Sequence, residues 1–224
     1  MAVERGGGQR AVGEAADERV RQGRGRRSGV ACATGPRPPA SVLAVARGTT
    51  RYAVLLRGIN VGRARQVDMT RLRELLTERG YGDVRTHLRS GNVVLDAEPD
   101  EQRLVADVEE ALRSGFGMEV PVVVRTGGEL AAVVAADPLP EARADPAHYL
   151  VTFLPAAPEA DRVAALPPAP EGEGYRVVGR ELYQWLPGGV LGSSLSSWKW
   201  EQLLDRTGTA RNWNTVRRIA ELAT

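Results

Sequence analysis

The sequence predicts an α+β fold made of two β-α-β-β-α repeats in succession, closed by an additional C-terminal helix. Three observations carry that reading. Tyr52 to Leu56 is a continuous apolar run that stops at a Gly-bracketed turn. Two hairpin signals lie about ninety residues apart, around Ser90-Gly91-Asn92 and between Tyr175–Val178 and Leu182–Leu186. Helical stripes with capping residues fill the spaces between the strands.

The elements follow in order. The run Tyr52–Leu56 does not alternate, so it predicts a strand covered on both faces. Asp68 is placed to cap a helix whose stripe is Met69, Leu72, Leu75 and Leu76, and Gly80 closes it. Val84–Arg89 and Val93–Asp96 read as paired strands. Asp100 caps a second helix with the stripe Leu104, Val105, Val108 and Leu112, which ends near Gly115 and Gly117. Val120–Arg125 is a fourth strand. The order βαββαβ is the ferredoxin-like pattern. In its usual arrangement the turn after strand one and the hairpin between strands two and three share one end of the sheet. Arg57, Gly58 and Asn60 should then lie near Arg89, Ser90 and Asn92.

Thr126-Gly-Gly-Glu129 is a capping box that opens a bridging helix with Leu130, Val133 and Val134 on its apolar face. Pro138 and Pro140 end it. Tyr149–Leu154 is a strand, and Pro158 starts a short helix stopped by Pro167 and Pro168. After the second hairpin, the loop Gly188–Ser194 leads to a helix around Trp198–Leu204. Gly208 breaks that helix, and Trp213, Val216, Ile219, Ala220 and Leu222 line the inner side of the last one. The predicted organisation is a tail over residues 1–50, a ferredoxin-like unit over 51–126, and a second unit over 127–224. A single split α+β domain is the alternative.

Composition narrows the function. The chain has 224 residues and a net charge of +2. Residues 1–50 hold nine arginines against four acids, which leaves 21 basic and 24 acidic groups for the rest. The folded part is therefore mildly acidic, and the pI of 9.0 describes the tail. The tail reads either as a start site placed too far upstream or as a flexible arm; in the arm reading, its basic charge could touch nucleic acid. Lys199 is the only lysine, a bias that GC-rich coding produces by itself. Cys32 is the only cysteine, so no disulfide framework or Cys-based metal site forms within one chain, and a cytoplasmic setting is expected. The run Val42–Ala46 is too short for a signal core or a membrane span.

Four motifs stand in order: RGINVG at Arg57–Gly62, SGN at Ser90–Asn92, LYQWLPGG at Leu182–Gly189 and TARNWNTV at Thr209–Val216. Together they resemble the bacterial domain of unknown function family 1697, over residues 51 to 223. The resemblance implies an α+β fold with ferredoxin-like units and no assigned activity. One stretch departs from it. In the family the loop after the LYxWxP segment tends to carry basic residues just before the helix, in a pattern like GRSKL, where this sequence has Gly192-Ser193-Ser194-Leu195, which weakens any anion contact from this loop.

No catalytic residue follows from the pattern. His87 and His148 have no nucleophile or orienting acid at telling spacing and read as structural. There is no HExxH, no Ca-loop pattern, no GxGxxG and no P-loop, so neither a metal nor a nucleotide cofactor is expected. An anion site is better motivated. Arg57 and Arg89 offer guanidinium forks, Asn60 and Asn92 offer amides, and Gly58 lets backbone N–H groups approach a phosphate or carboxylate. The competing reading gives the glycines to turns and the asparagines to backbone satisfaction.

TARNWNTV is open in the same way. Asn212 or Asn214 could cap the last helix with Trp213 as core anchor. Alternatively Arg211, Asn212, Asn214 and Thr215 present donors at a helix N-terminus facing the Arg57/Arg89 end. An enzyme whose bound substrate supplies the missing reactive group and an RNA-associated module are the runners-up; the fold prompts the RNA reading, but strands one and three lack a central aromatic and the folded part lacks positive charge. Trp198 and Trp200 cannot share a helix face, so an exposed one would mark a homodimer or partner surface.

Overall fold

A computed structural model of the chain describes residues 48–62 and 65–224. Nearly all of the predicted tail lies outside the described residues. The described residues form one compact unit. Its elements run β1 (Thr50–Leu56), α1 (Met69–Glu78), β2 (Gly82–His87), β3 (Asn92–Ala97), α2 (Glu101–Phe116), β4 (Val122–Thr126) and α3 (Gly127–Ala136). They continue with β5 (Tyr149–Phe153), α4 (Ala160–Ala164), β6 (Gly174–Val178), β7 (Glu181–Trp185), α5 (Gly189–Gly192), α6 (Trp200–Leu204), β8 (Thr209–Asn212) and α7 (Trp213–Leu222).

The architecture is α+β with two four-stranded antiparallel sheets, ordered β2-β3-β1-β4 and β6-β7-β5-β8. The capping chemistry acts where it was expected. The Asp68 side chain accepts from the N–H groups of Thr70 and Arg71, Asp100 accepts from Arg103 N–H, and Thr126 with Glu129 closes a full capping box.

The central strand β1 is covered on both faces, as its unbroken apolar run implies. Tyr52, Val54 and Leu56 pack with Val93, Leu95 and Val124 under α1 and α2. Ala53 and Leu55 face the other way, into a second core with α3, α7 and the inner residues Tyr149, Val151 and Phe153 of β5. This second core is shared by the two sheets. Tyr149 stacks on Trp213 with ring centroids 4.7 Å apart. The outer face of the second sheet is smaller, built on Leu154, Leu182 and Leu204.

Three expectations need correction. Thr209–Asn212 is a strand, β8, paired to β5 from Leu150↔Asn212 to Phe153↔Thr209. The helix expected around Trp198–Leu204 contracts to Trp200–Leu204, preceded by a 3-10 turn over Leu195–Ser197. Trp198 therefore lies outside that helix in extended backbone, and helix-face spacing does not govern it. Its ring meets Trp200 at 5.2 Å and Tyr175 at 5.7 Å, and both tryptophans are half-buried. Among the described residues, no helix is long and apolar enough to cross a membrane.

Candidate functional site

The loop after β1 and the β2–β3 turn meet at one rim of the first sheet. Leu56 N–H donates to Gly91 O at 2.8 Å, and Arg57 N–H donates to Pro121 O at 3.0 Å. Asn60 ties the two loops together. Its amide donates to Arg89 O at 2.7 Å and Val67 O at 3.1 Å, and its Oδ1 accepts from Val67 N–H at 2.9 Å. The backbone here is unusual. Gly58, Asn60, Gly62, Arg65, Leu88 and Gly91 all have positive φ. For Gly91 the reason is direct: a Cβ there would come within 2.8 Å of Leu56 Cβ and 2.9 Å of Ile59 Cδ1.

The expected site residues divide by what their polar groups already do. Arg57, Gly58, Asn60, Arg89, Ser90 and Asn92 are brought together. Asn92 is fully buried, and its amide donates to His87 O at 2.8 Å and Ser90 Oγ at 3.2 Å. Arg57 pairs with Glu201 on α6, both side chains being partly exposed. Arg89 is exposed, makes one long bond to Gln66 Oε1 at 3.3 Å, and has no carboxylate partner among the described residues. Ser90 is also exposed.

Arg211 reaches the same rim from β8, but as a buried strut. Its Nε donates to Asn92 Oδ1, Nη1 to Thr209 Oγ1 and Ala210 O, and Nη2 to the carbonyls of Leu56, Ser90 and Gly91. All five donors are spent, so none remains for a ligand. Burial pulls its pKa down to about 10, so it stays charged at neutral pH. The α7 N-terminus is likewise occupied. Asn212 Oδ1 accepts from Thr215 N–H at 3.0 Å, and Trp213 N–H donates to Pro146 O at 3.1 Å. The capping reading therefore accounts for Asn212; Thr215 is buried behind it and Asn214 is exposed. The N–H groups of Trp213 and Thr215 at this helix end are thus consumed locally rather than turned to the Arg57/Arg89 rim.

A second buried arginine escaped the sequence reading. Arg125 on β4 donates through Nε to Glu181 Oε1 at 2.7 Å and through Nη2 to Leu154 O at 2.7 Å and Arg180 O at 3.2 Å. Desolvation lowers its pKa and the Glu181 carboxylate opposes that shift. Its guanidinium lies 5.6 Å from the Phe153 ring centroid. Arg180 in turn binds Glu101 at 2.6 Å and Glu129 at 2.5 Å. One signal was available in the sequence: Arg125 and Arg211 each stand directly before a helix-capping residue, Thr126 and Asn212.

Other polar groups are self-contained. The expectation that His148 lacks an orienting acid is corrected: its Nδ1 lies 2.7 Å from Asp145 Oδ2, three residues upstream, and among the described residues no nucleophile is bonded to the pair. Desolvation lowers the pKa of His87. A cleft of about 810 Å³ opens at the opposite rim of the first sheet, where Arg79 and Tyr81 are already bound to Asp107. Among the described residues, no three His, Cys, Asp or Glu side chains could hold a metal ion.

Comparison with known proteins adds a family and a fold. A family model described as "Protein of unknown function (DUF1697)" matches residues 49–183. The structure of conserved bacterial protein SP0830 from Streptococcus pneumoniae superimposes with a TM-score of 0.65 at 22% identity, covering 79% of this chain and 100% of that one. No curated protein matches the chain at a significant level.

Proposed function

We propose a function for the rim on the premise that this chain belongs to the DUF1697 family, whose description assigns no activity. The protein binds a small anion, a phosphate or a carboxylate, at the loops that follow β1 and join β2 to β3. The scaffold is a tandem of ferredoxin-like units, residues 51–126 and 127–224, a reading supported by the shared strand order of the two sheets. A cytoplasmic setting belongs to the same reading and rests on the single cysteine.

One observation carries the proposal. Twelve residues (57–68) connect β1 to α1, whereas six (154–159) connect β5 to α4. Four residues (88–91) join β2 to β3, whereas two (179–180) join β6 to β7. The second half shows that the fold closes with the shorter connections. The two longer ones meet at the bond from Asn60 to Arg89, and there they leave an arginine without a carboxylate. Positive φ at the non-glycine positions Asn60, Arg65 and Leu88 marks the same loops as places where conformation is held against local preference. Bidentate donors beside exposed backbone suit an oxyanion.

The test is a thermal-shift titration at low salt with inorganic phosphate, pyrophosphate and acetate. At about a hundredfold excess over Kd, binding should raise Tm by roughly 5–10 °C. Arg89→Ala should abolish the rise and leave the unligated Tm unchanged, while Arg176→Ala on β6 should keep it. If none of the three anions moves the wild-type Tm, the proposal fails.

A further inference from the structure

The rim also displays apolar side chains that folding does not account for. Five large apolar residues are exposed among those described, and two of them, Val61 at 71% and Leu88 at 57%, belong to these loops. Each lies one residue from the Asn60–Arg89 bond, which places both residues on the same rim. Ile59, beside Val61, turns inward against Gly91 and anchors the base of the patch.

Leu88 is anomalous twice. Its φ of 60° lies in the left-handed region that a branched L-residue avoids and that Gly or Asn would occupy without strain. Its side chain is then left in water. It occupies the four-residue turn that the other half replaces with the two residues Gly179-Arg180. Val61 stands between Asn60 and Gly62, both also at positive φ. The strain thus presents apolar groups outward, next to Arg89 and to Arg65, neither of which has a carboxylate partner among the described residues.

We infer that the ligand of this rim is an amphiphilic anion: a phosphate or carboxylate head held by Arg89 and Ser90, joined to an apolar body that covers Val61 and Leu88. The inference rests on the anion reading above and narrows it. An inorganic anion would leave the apolar pair in water. At Arg57 itself Glu201 already neutralises the guanidinium, so the head group is left to Arg89 and its neighbours. An apolar body of the size of one aromatic ring, by contrast, removes the area that these two side chains expose.

The experiment compares two phosphate monoesters of like charge, phenyl phosphate and glycerol phosphate, by calorimetry on the full chain. Phenyl phosphate should bind roughly tenfold more tightly, the factor that burying part of one ring supplies. In the Val61→Ser/Leu88→Ser double variant that preference should fall to about twofold, with glycerol phosphate affinity unchanged. Both positions are exposed, so the variant should keep the wild-type circular dichroism and unligated Tm. Equal affinities for the two esters in the wild type would overturn the inference and leave the anion reading intact. Absence of binding by both, together with no response to phosphate, pyrophosphate or acetate, would overturn the two together.

Discussion

The two halves of the molecule hold each other by the same device. Arg125 lies opposite Ala53 on the first central strand, and Arg211 lies opposite Val151 on the second. Each reaches across to the other half and donates to the carbonyl that ends the facing central strand, Leu154 for one and Leu56 for the other. Each also donates to the facing hairpin turn, at Arg180 and at Ser90 with Gly91. The difference is in the acceptor at Nε. Glu181 answers Arg125 with a carboxylate, and Asn92 answers Arg211 with a neutral amide. Where the acceptor is charged, the connections are short and Arg180 is consumed by Glu101 and Glu129. Where it is neutral, the connections are long, and among the described residues Arg65 and Arg89 have no carboxylate partner. Both clasps satisfy the fold, and the longer loops add unpaired charge at the end of the first sheet where they meet.

The largest expected effect comes from breaking the ionic clasp. Arg125→Met leaves Glu181, 12% exposed, without its cation, and should cost about 3–5 kcal/mol in a denaturant titration. Arg211→Met strands only neutral acceptors. Leu56 O keeps the Thr209 hydroxyl at 3.4 Å and Gly91 O keeps the Leu56 N–H, so the cost should be lower, about 2–3 kcal/mol. Equal losses, or the reverse order, would show that the charge on Glu181 is not what separates the halves. Glu181→Gln converts the ionic clasp of Arg125 to the neutral type of Arg211 and should cost about 1–2 kcal/mol, since geometry is kept and only the charge is removed.

Comparable in size to the loss at Arg211 is Gly91→Ala. The added methyl would press on Leu56 and Ile59 in a turn at φ 83°, and overpacking with left-handed strain should together cost about 2–4 kcal/mol. The equivalent position in the other half, Arg180, already carries a side chain. A stable Gly91→Ala variant would mean that the rim is looser than its counterpart.

Legibility followed the range of the interactions. Asp68, Asp100 and the Thr126/Glu129 box declare themselves within four residues, and so did the helices they open. β8 did not: Thr209–Asn212 has one apolar residue, and its partners on β5 lie about sixty residues upstream. Arg211 read as a surface cation because its neutralising dipoles belong to Leu56, Ser90 and Gly91, more than a hundred residues away. Arg125 was hidden for the same reason, at the end of an apolar run whose answering carboxylate is Glu181. The convergence of Arg57, Asn60, Arg89 and Asn92 could be foreseen because it follows from strand order alone. Which of these side chains would be spent on backbone could not, since that depends on carbonyls placed by the whole fold.

The smallest expected effect isolates what the longer turn is for. Leu88 makes no hydrogen bond to hold its left-handed backbone, and its exposed side chain contributes little packing. Leu88→Gly removes the Cβ clash and should stabilise the native state, while the freer unfolded chain offsets part of the gain. A net stabilisation of about 0.5–1 kcal/mol is expected, read as a higher midpoint at unchanged slope. The same variant should weaken phenyl phosphate more than glycerol phosphate. If Leu88→Gly instead destabilises the protein, the leucine serves the fold, and the asymmetry between the two hairpins needs no ligand to explain it.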